Sequence, residues 1–93
     1  MEKRFLLGRV TVSEADCEEF IIEYYILEVN ELYSIEIVKA AVNEYGRENA
    51  AEVATSFPIS RTRKVVERIL TIFMRNYVTP ISLFECLDDL YEI

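Results

Sequence analysis

At 93 residues the chain has the length of one domain, and a core of that size withdraws only about two-thirds of the unfolded chain's surface from water. A hydrophobic share of 52% with two glycines and two prolines excludes a disordered or low-complexity chain. The formal charge of -7 and a pI near 4.6 exclude general binding to nucleic acid or to an anionic membrane, since both draw on clustered positive charge.

Residues 4–12 have an extended pattern, with Leu6, Val10 and Val12 on one side and Phe5 and Leu7 opening the other. A polar, acidic connection follows, short enough to return an antiparallel neighbour. Its carboxylates Glu14, Asp16 and Glu18, with Glu19, lack the glycine and the ligand spacing of a calcium loop, so they read as a solvated turn. Residues 19–29 form the strand on which the chain is organised. Phe20, Ile22, Tyr24 and Ile26 project to one side and Ile21, Tyr25, Leu27 and Val29 to the other, so both faces are apolar and the strand belongs inside a sheet. Asn30 to Leu32 turn the chain into a third strand, residues 33–42, with Tyr33, Ile35 and Ile37 alternating against Ser34 and Glu36. Asn43 to Ala50 reads as a loop, and residues 51–57 as a short fourth strand closed by Pro58.

The hydrophobic period then changes from two to about three and a half. Ser60 is a suitable N-cap for a helix over residues 61–75, with Val65, Val66, Ile69, Ile72, Phe73 and Tyr77 as its apolar stripe. Thr79 and Pro80 start a second helix, residues 80–91, in which Leu83, Phe84, Leu87, Leu90 and Tyr91 form the stripe. The expected fold is therefore α+β: a four-stranded antiparallel meander followed by two C-terminal helices on one sheet face, in a single domain spanning 1–93.

Little in this pattern points to chemistry. With no histidine, a general base would have to be a carboxylate or a lysine. Cys17 and Cys86 are isolated, which suggests neither a disulfide framework nor a zinc site; Cys86 adjoins an apolar stripe and Cys17 lies among acids that oppose thiolate formation. No metal or cofactor is expected, and the reading is non-enzymatic. The apolar run Phe5 to Leu7 is too short for a signal peptide and no run approaches a membrane span, so the expected location is the cytoplasm.

Three surfaces remain as candidates. Arg61, Arg63, Lys64 and Arg68 crowd the start of the first helix, against its dipole, and form a candidate anion site. If the helices pack antiparallel, those cations fall beside Asp88, Asp89 and Glu92 and the two clusters neutralise each other. A helix-turn-helix reading fails because the second helix offers no Arg, Lys, Asn or Gln to base edges, and no direct contact with nucleic acid is expected. Glu14, Asp16, Glu18, Glu19, Glu23, Glu28 and Glu36 would form one negative surface if the chain were an acidic inhibitor occupying the nucleic-acid groove of a basic protein. Finally, two helices cover one face of a four-stranded sheet but not both, and the central strand is apolar on both. The favoured expectation is a non-catalytic interaction module, a homodimer or a complex with another protein. Its contact residues are drawn from Phe20, Ile22 and Tyr24 on one face or Tyr25 and Leu27 on the other.

The segments Tyr24 to Glu28, Tyr33 to Ile37 and Val78 to Leu83, followed by Asp88 and Asp89, resemble in this order a small family of uncharacterised proteins from spore-forming Firmicutes, chiefly clostridia. The resemblance covers roughly Glu19 to Tyr91; where that family carries a glycine between its Tyr and Ile, this chain has Ser34. It implies a strand meander, then a helix, then a helix started by Val-Thr-Pro, and a bacterial or phage cytoplasmic origin. It implies no activity.

Overall fold

A computed structural model describes residues 2–13, 19–42 and 48–91. Strands β1 (Lys3–Ser13), β2 (Glu19–Val29), β3 (Leu32–Val42) and β4 (Glu48–Thr55) lie side by side in chain order as one antiparallel sheet, and helices α1 (Arg63–Arg75) and α2 (Leu83–Tyr91) follow. The architecture is the expected α+β meander with both helices on one face. The expected connection at Glu14 to Glu18, Cys17 within it, and most of the loop read at Asn43 to Ala50 fall outside the described residues.

The central hairpin is set by Asn30 and Glu31, whose φ angles of 52° and 65° place both in the left-handed region. Val29 pairs with Leu32, leaving a two-residue loop of the kind whose twist matches that of the strands it joins. On the other side of β2 the ladder with β1 runs from Lys3↔Glu28 to Ser13↔Glu19 and shifts between Leu6 and Gly8. The bulge lies under the end of α1: a Cβ at Gly8 would overlap Met74 Sδ, so the missing side chain admits the helix.

The fourth strand begins three residues earlier than the polarity of Glu48 and Asn49 suggests, and ends at Thr55 rather than residue 57. An edge strand tolerates polar residues, and a register shift at Lys39/Ala40 absorbs the extra residue between Ala50 and Glu52. At Ser56 the chain leaves the ladder. Ser56 N–H donates to the Ile35 carbonyl at 2.8 Å, and its hydroxyl oxygen accepts the Ile35 N–H at 2.9 Å while donating to the Phe57 carbonyl at 2.8 Å. One buried side chain thus replaces the strand partner that Ile35 loses.

Helix α1 starts two residues later than expected, with Thr62 as N-cap. Ser60 is unavailable because its backbone still pairs with β3: Tyr33 N–H donates to the Ser60 carbonyl at 2.8 Å, and the Ser60 hydroxyl accepts the Thr62 N–H at 3.0 Å. The buried stripe is Val66, Leu70 and Phe73, spaced i, i+4, i+7. Val65, Ile72 and Tyr77, assigned to that stripe from sequence, flank it and are exposed. The helix closes on Tyr77, at φ 53°: Tyr77 N–H donates to the Met74 carbonyl at 3.2 Å and Val78 N–H to the Phe73 carbonyl at 3.0 Å. That pair of bonds is a Schellman C-cap, with tyrosine where glycine is usual. The Thr79-Pro80 signal sets a tight turn, in which Ser82 N–H reaches the Thr79 carbonyl at 3.1 Å, and α2 proper starts at Leu83. Leu83 and Leu87 seal its buried side, whereas Phe84 stays about half exposed.

The core lies between the layers. Ile22, Tyr24 and Ile26 of β2 with Ile35 and Ile37 of β3 meet the buried stripes of both helices, all at 3% exposure or less. Tyr24 donates its hydroxyl to the Val78 carbonyl at 2.9 Å, tying the middle of the sheet to the interhelix connection. Burial, and secondarily the charge Tyr77 would carry as a phenolate, push the Tyr24 phenol up to about 12. The molecule measures 41 × 33 × 17 Å, its thin dimension being one sheet and one helix layer.

Candidate interaction surface

The helices choose the face that carries Ile22 and Tyr24. These two residues, offered from sequence as partner contacts, are 2% and 0% exposed and are out of any partner's reach. Phe20, on the same face, is half-buried at the end of the layer, with the Lys39 ammonium 4.3 Å from its ring centroid. It lines a cleft of about 80 Å³ with Val12, Lys39, Tyr77 and Thr79.

The opposite face carries no helix, and a polar bridge crosses its middle. Arg4, on edge strand β1, lies 3.6 Å above the Tyr25 ring and bonds Glu36 on β3 through Nε at 2.8 Å and Nη2 at 2.7 Å. Thr55 on β4 donates to the other carboxylate oxygen of Glu36 at 3.1 Å. The arrangement explains why Leu27, set in register between Arg4 and Ser34, is only 4% exposed without a helix above it. Leu27 therefore offers little to a partner, contrary to the sequence reading. Tyr25 remains partly accessible, and its phenol is pushed up first by partial burial and then by the neighbouring Glu23 carboxylate.

The open apolar surface sits instead on the edge strands. Leu6 of β1 is 54% exposed and Val53 of β4 is 58% exposed. Alternation grouped Leu6 with Val10 and Val12, but the bulge between Leu6 and Gly8 puts Leu6 opposite Tyr25 while Val10 and Val12 lie opposite Ile22 and Phe20 on the helix side.

The basic residues at the start of α1 are divided. Arg63 stacks on Phe5 of β1, 4.4 Å from the ring centroid, and bonds Glu67 one turn on at 2.9 Å. Arg61, Lys64 and Arg68 are exposed. Among the described residues no ion pair joins them to Asp88 or Asp89, so the expected neutralisation between helices does not form there; Glu92, the third acid of that expectation, lies outside the described residues. The acids are also dispersed. Glu19, Glu23 and Glu36 fall on the open sheet face, Glu36 bound to Arg4, whereas Glu28 projects to the helix side beside Tyr33. Glu14, Asp16 and Glu18 fall outside the described residues.

Chemically the surface is spare. Among the described residues no three Cys, Asp or Glu side chains converge on a cation site. Burial, then Asp89 and Glu85, push the Cys86 thiol up and away from the reactive thiolate. Among the described residues no helix is long and apolar enough to cross a membrane.

A family model described as a family of unknown function, DUF6514, matches residues 3–92. The chain belongs to the DUF6514 family. The match runs from the first residue of β1 past the end of α2, so the sheet, both helices and the open face are all family territory. No curated protein and no solved structure matches the chain.

Proposed function

We propose that this DUF6514 protein is a non-catalytic interaction module of the bacterial cytoplasm, and that its open sheet face receives a second copy of the chain. The observation that carries the reading is the asymmetry of the slab: one sheet face is sealed by helices, while the other presents Leu6 and Val53, each more than half exposed, around Tyr25. The charge on that face favours a like partner. The chain as a whole carries -7, but on this face Arg4 and Arg9 offset much of the charge of Glu19, Glu23 and Glu36, so only a small part of the excess lies across the sheet. Stacking two such faces gives a helix–sheet–sheet–helix sandwich with the usual spacing of about 10 Å between sheets. Covering a half-exposed leucine or valine contributes about 1 kcal/mol, and Leu6 and Val53 from both copies together little more than offset the loss of rigid-body freedom. Micromolar strength, about -8 kcal/mol net, therefore requires the rest of the apposed face, the Tyr25 ring included, to contribute as well. The acidic-inhibitor reading lacks comparable support, since Glu28 and Glu36 lie on opposite faces and Glu36 is already occupied.

Sedimentation velocity tests the proposal. The wild-type chain is expected to associate at micromolar concentration, and the double variant Leu6→Glu/Val53→Glu, altered only at exposed positions, to run as a folded monomer. Small-angle scattering should show a particle about twice the 17 Å thickness of one copy. A wild-type monomer at millimolar concentration, or a dimer indifferent to both substitutions, would remove the reading.

A further inference from the structure

A second surface lies on the opposite side of the molecule and is independent of the sheet face. Lys64, Arg68, Thr71 and Arg75 recur at i, i+4, i+7 and i+11, so they form one stripe along α1, about 16 Å long at 1.5 Å per residue. With Glu67 and Ile72 they line an open trough of about 530 Å³. Lys64, Arg68 and Arg75 are exposed, and among the described residues none has a carboxylate within ion-pair distance, although the chain contains 17 acids. Glu67, the acid nearest to hand, is held by Arg63. The first turn of α1 contains no acid, so its cations face the positive end of the helix dipole unrelieved. In the middle of the stripe Ile72 is 49% exposed.

We propose that the outer side of α1 is a docking strip for an acidic amphipathic segment of another protein. The segment carries carboxylates along about 16 Å, three turns of helix, and one large aliphatic side chain that seats on Ile72. The chemistry of the trough selects protein over nucleic acid. Exposed Ile72 suits a partly apolar segment and offers a phosphate backbone nothing, Glu67 beside it is held by Arg63 and attracts neither anion, and the lining has no aromatic ring on which a base could stack. The acids elsewhere on the chain repel a long polyanion, whereas a short segment stays within the local positive field.

Fluorescence anisotropy decides the matter, with a labelled peptide of two Leu-Glu-Glu-Ala-Leu-Glu-Glu heptads as probe. The probe is expected to bind the wild-type chain, its all-Gln counterpart not to bind, Lys64→Glu/Arg68→Glu to weaken the complex by at least about tenfold, and Ile72→Ser by about threefold. Leu6→Glu/Val53→Glu should leave this binding unchanged, which separates the strip from the sheet face. Three results would each overturn the proposal: no binding of the acidic peptide; equal binding of a single-stranded oligodeoxynucleotide with indifference to Ile72→Ser; or self-association without peptide that Lys64→Glu/Arg68→Glu abolishes, which would assign the strip to a second copy.

Discussion

Tyr24 carries a hydroxyl into the least polar part of the molecule, and the Val78 carbonyl is what makes that tolerable. Tyr24→Phe keeps the ring but leaves that carbonyl without its donor, which is expected to cost about 1–3 kcal/mol in denaturant unfolding at neutral pH. The raised phenol adds a pH signature. Because the folded-state value of about 12 exceeds the ordinary 10.0, the folded state holds the proton more tightly than the unfolded chain. The contribution is full below pH 10 and is lost as pH rises to about 12, a decline of roughly 2–3 kcal/mol that Tyr24→Phe should not show. Equal alkaline slopes for the two proteins would contradict the assignment. Ser56 gives a parallel case: Ser56→Ala strands the buried Ile35 N–H and is expected to cost about 1–3 kcal/mol. Neither partnership was legible in the sequence. Alternation put Tyr24 on an apolar face, but its acceptor lies 54 residues away on a connection whose path depends on both helices. Leu27, expected among the partner contacts, is closed off for a similar reason, since its cover is a side chain from another strand.

At the level of elements, period proved easier to read than phase. The switch from alternate to three-and-a-half spacing located the strands and helices to within a few residues, yet assigned Val65 and Ile72 to the buried side of α1 and overlooked Leu70. A helix of 13 residues carrying apolar side chains on more than half its circumference has several admissible rotations, and the sheet beneath selects one. Turn chemistry shows the opposite balance. Asn30 favours a left-handed turn, but Glu31 does not, and its φ of 65° is imposed by the strands it joins. Glu31→Gly creates the preferred Asn-Gly pair and is expected to stabilise the chain by about 0.5–1 kcal/mol, with unchanged folded-state circular dichroism. A loss of stability would mean that the Glu31 side chain makes a contact outweighing its backbone strain. The bulge supplies a second test. Gly8→Ala drives a methyl group into Met74 Sδ, and because the thioether end is flexible the cost is expected to stay near 1 kcal/mol rather than to unfold the protein.

For the molecule as a whole, the open face and the α1 strip make opposite demands on the solvent. Two copies of a chain with net charge -7 repel each other at separations beyond a Debye length, about 30 Å at 0.01 M salt and 8 Å at 0.15 M. The sheet faces that meet are mildly acidic and hold no attraction between unlike charges from the two copies, so salt weakens the repulsion and takes little from the aliphatic contact itself. Dimerisation through Leu6 and Val53 is therefore expected to strengthen as sodium chloride rises through this range. Docking of an acidic segment on Lys64, Arg68 and Arg75 draws on attraction between unlike charges, which the same salt screens, so that affinity should fall. Running sedimentation and peptide anisotropy across one salt series sets the two trends side by side. If self-association weakened with salt, ion pairs rather than aliphatic contact would hold the copies together, and the α1 strip facing the exposed Glu85, Asp88 and Asp89 of α2 in a second copy would replace the sheet face as the seat of the dimer.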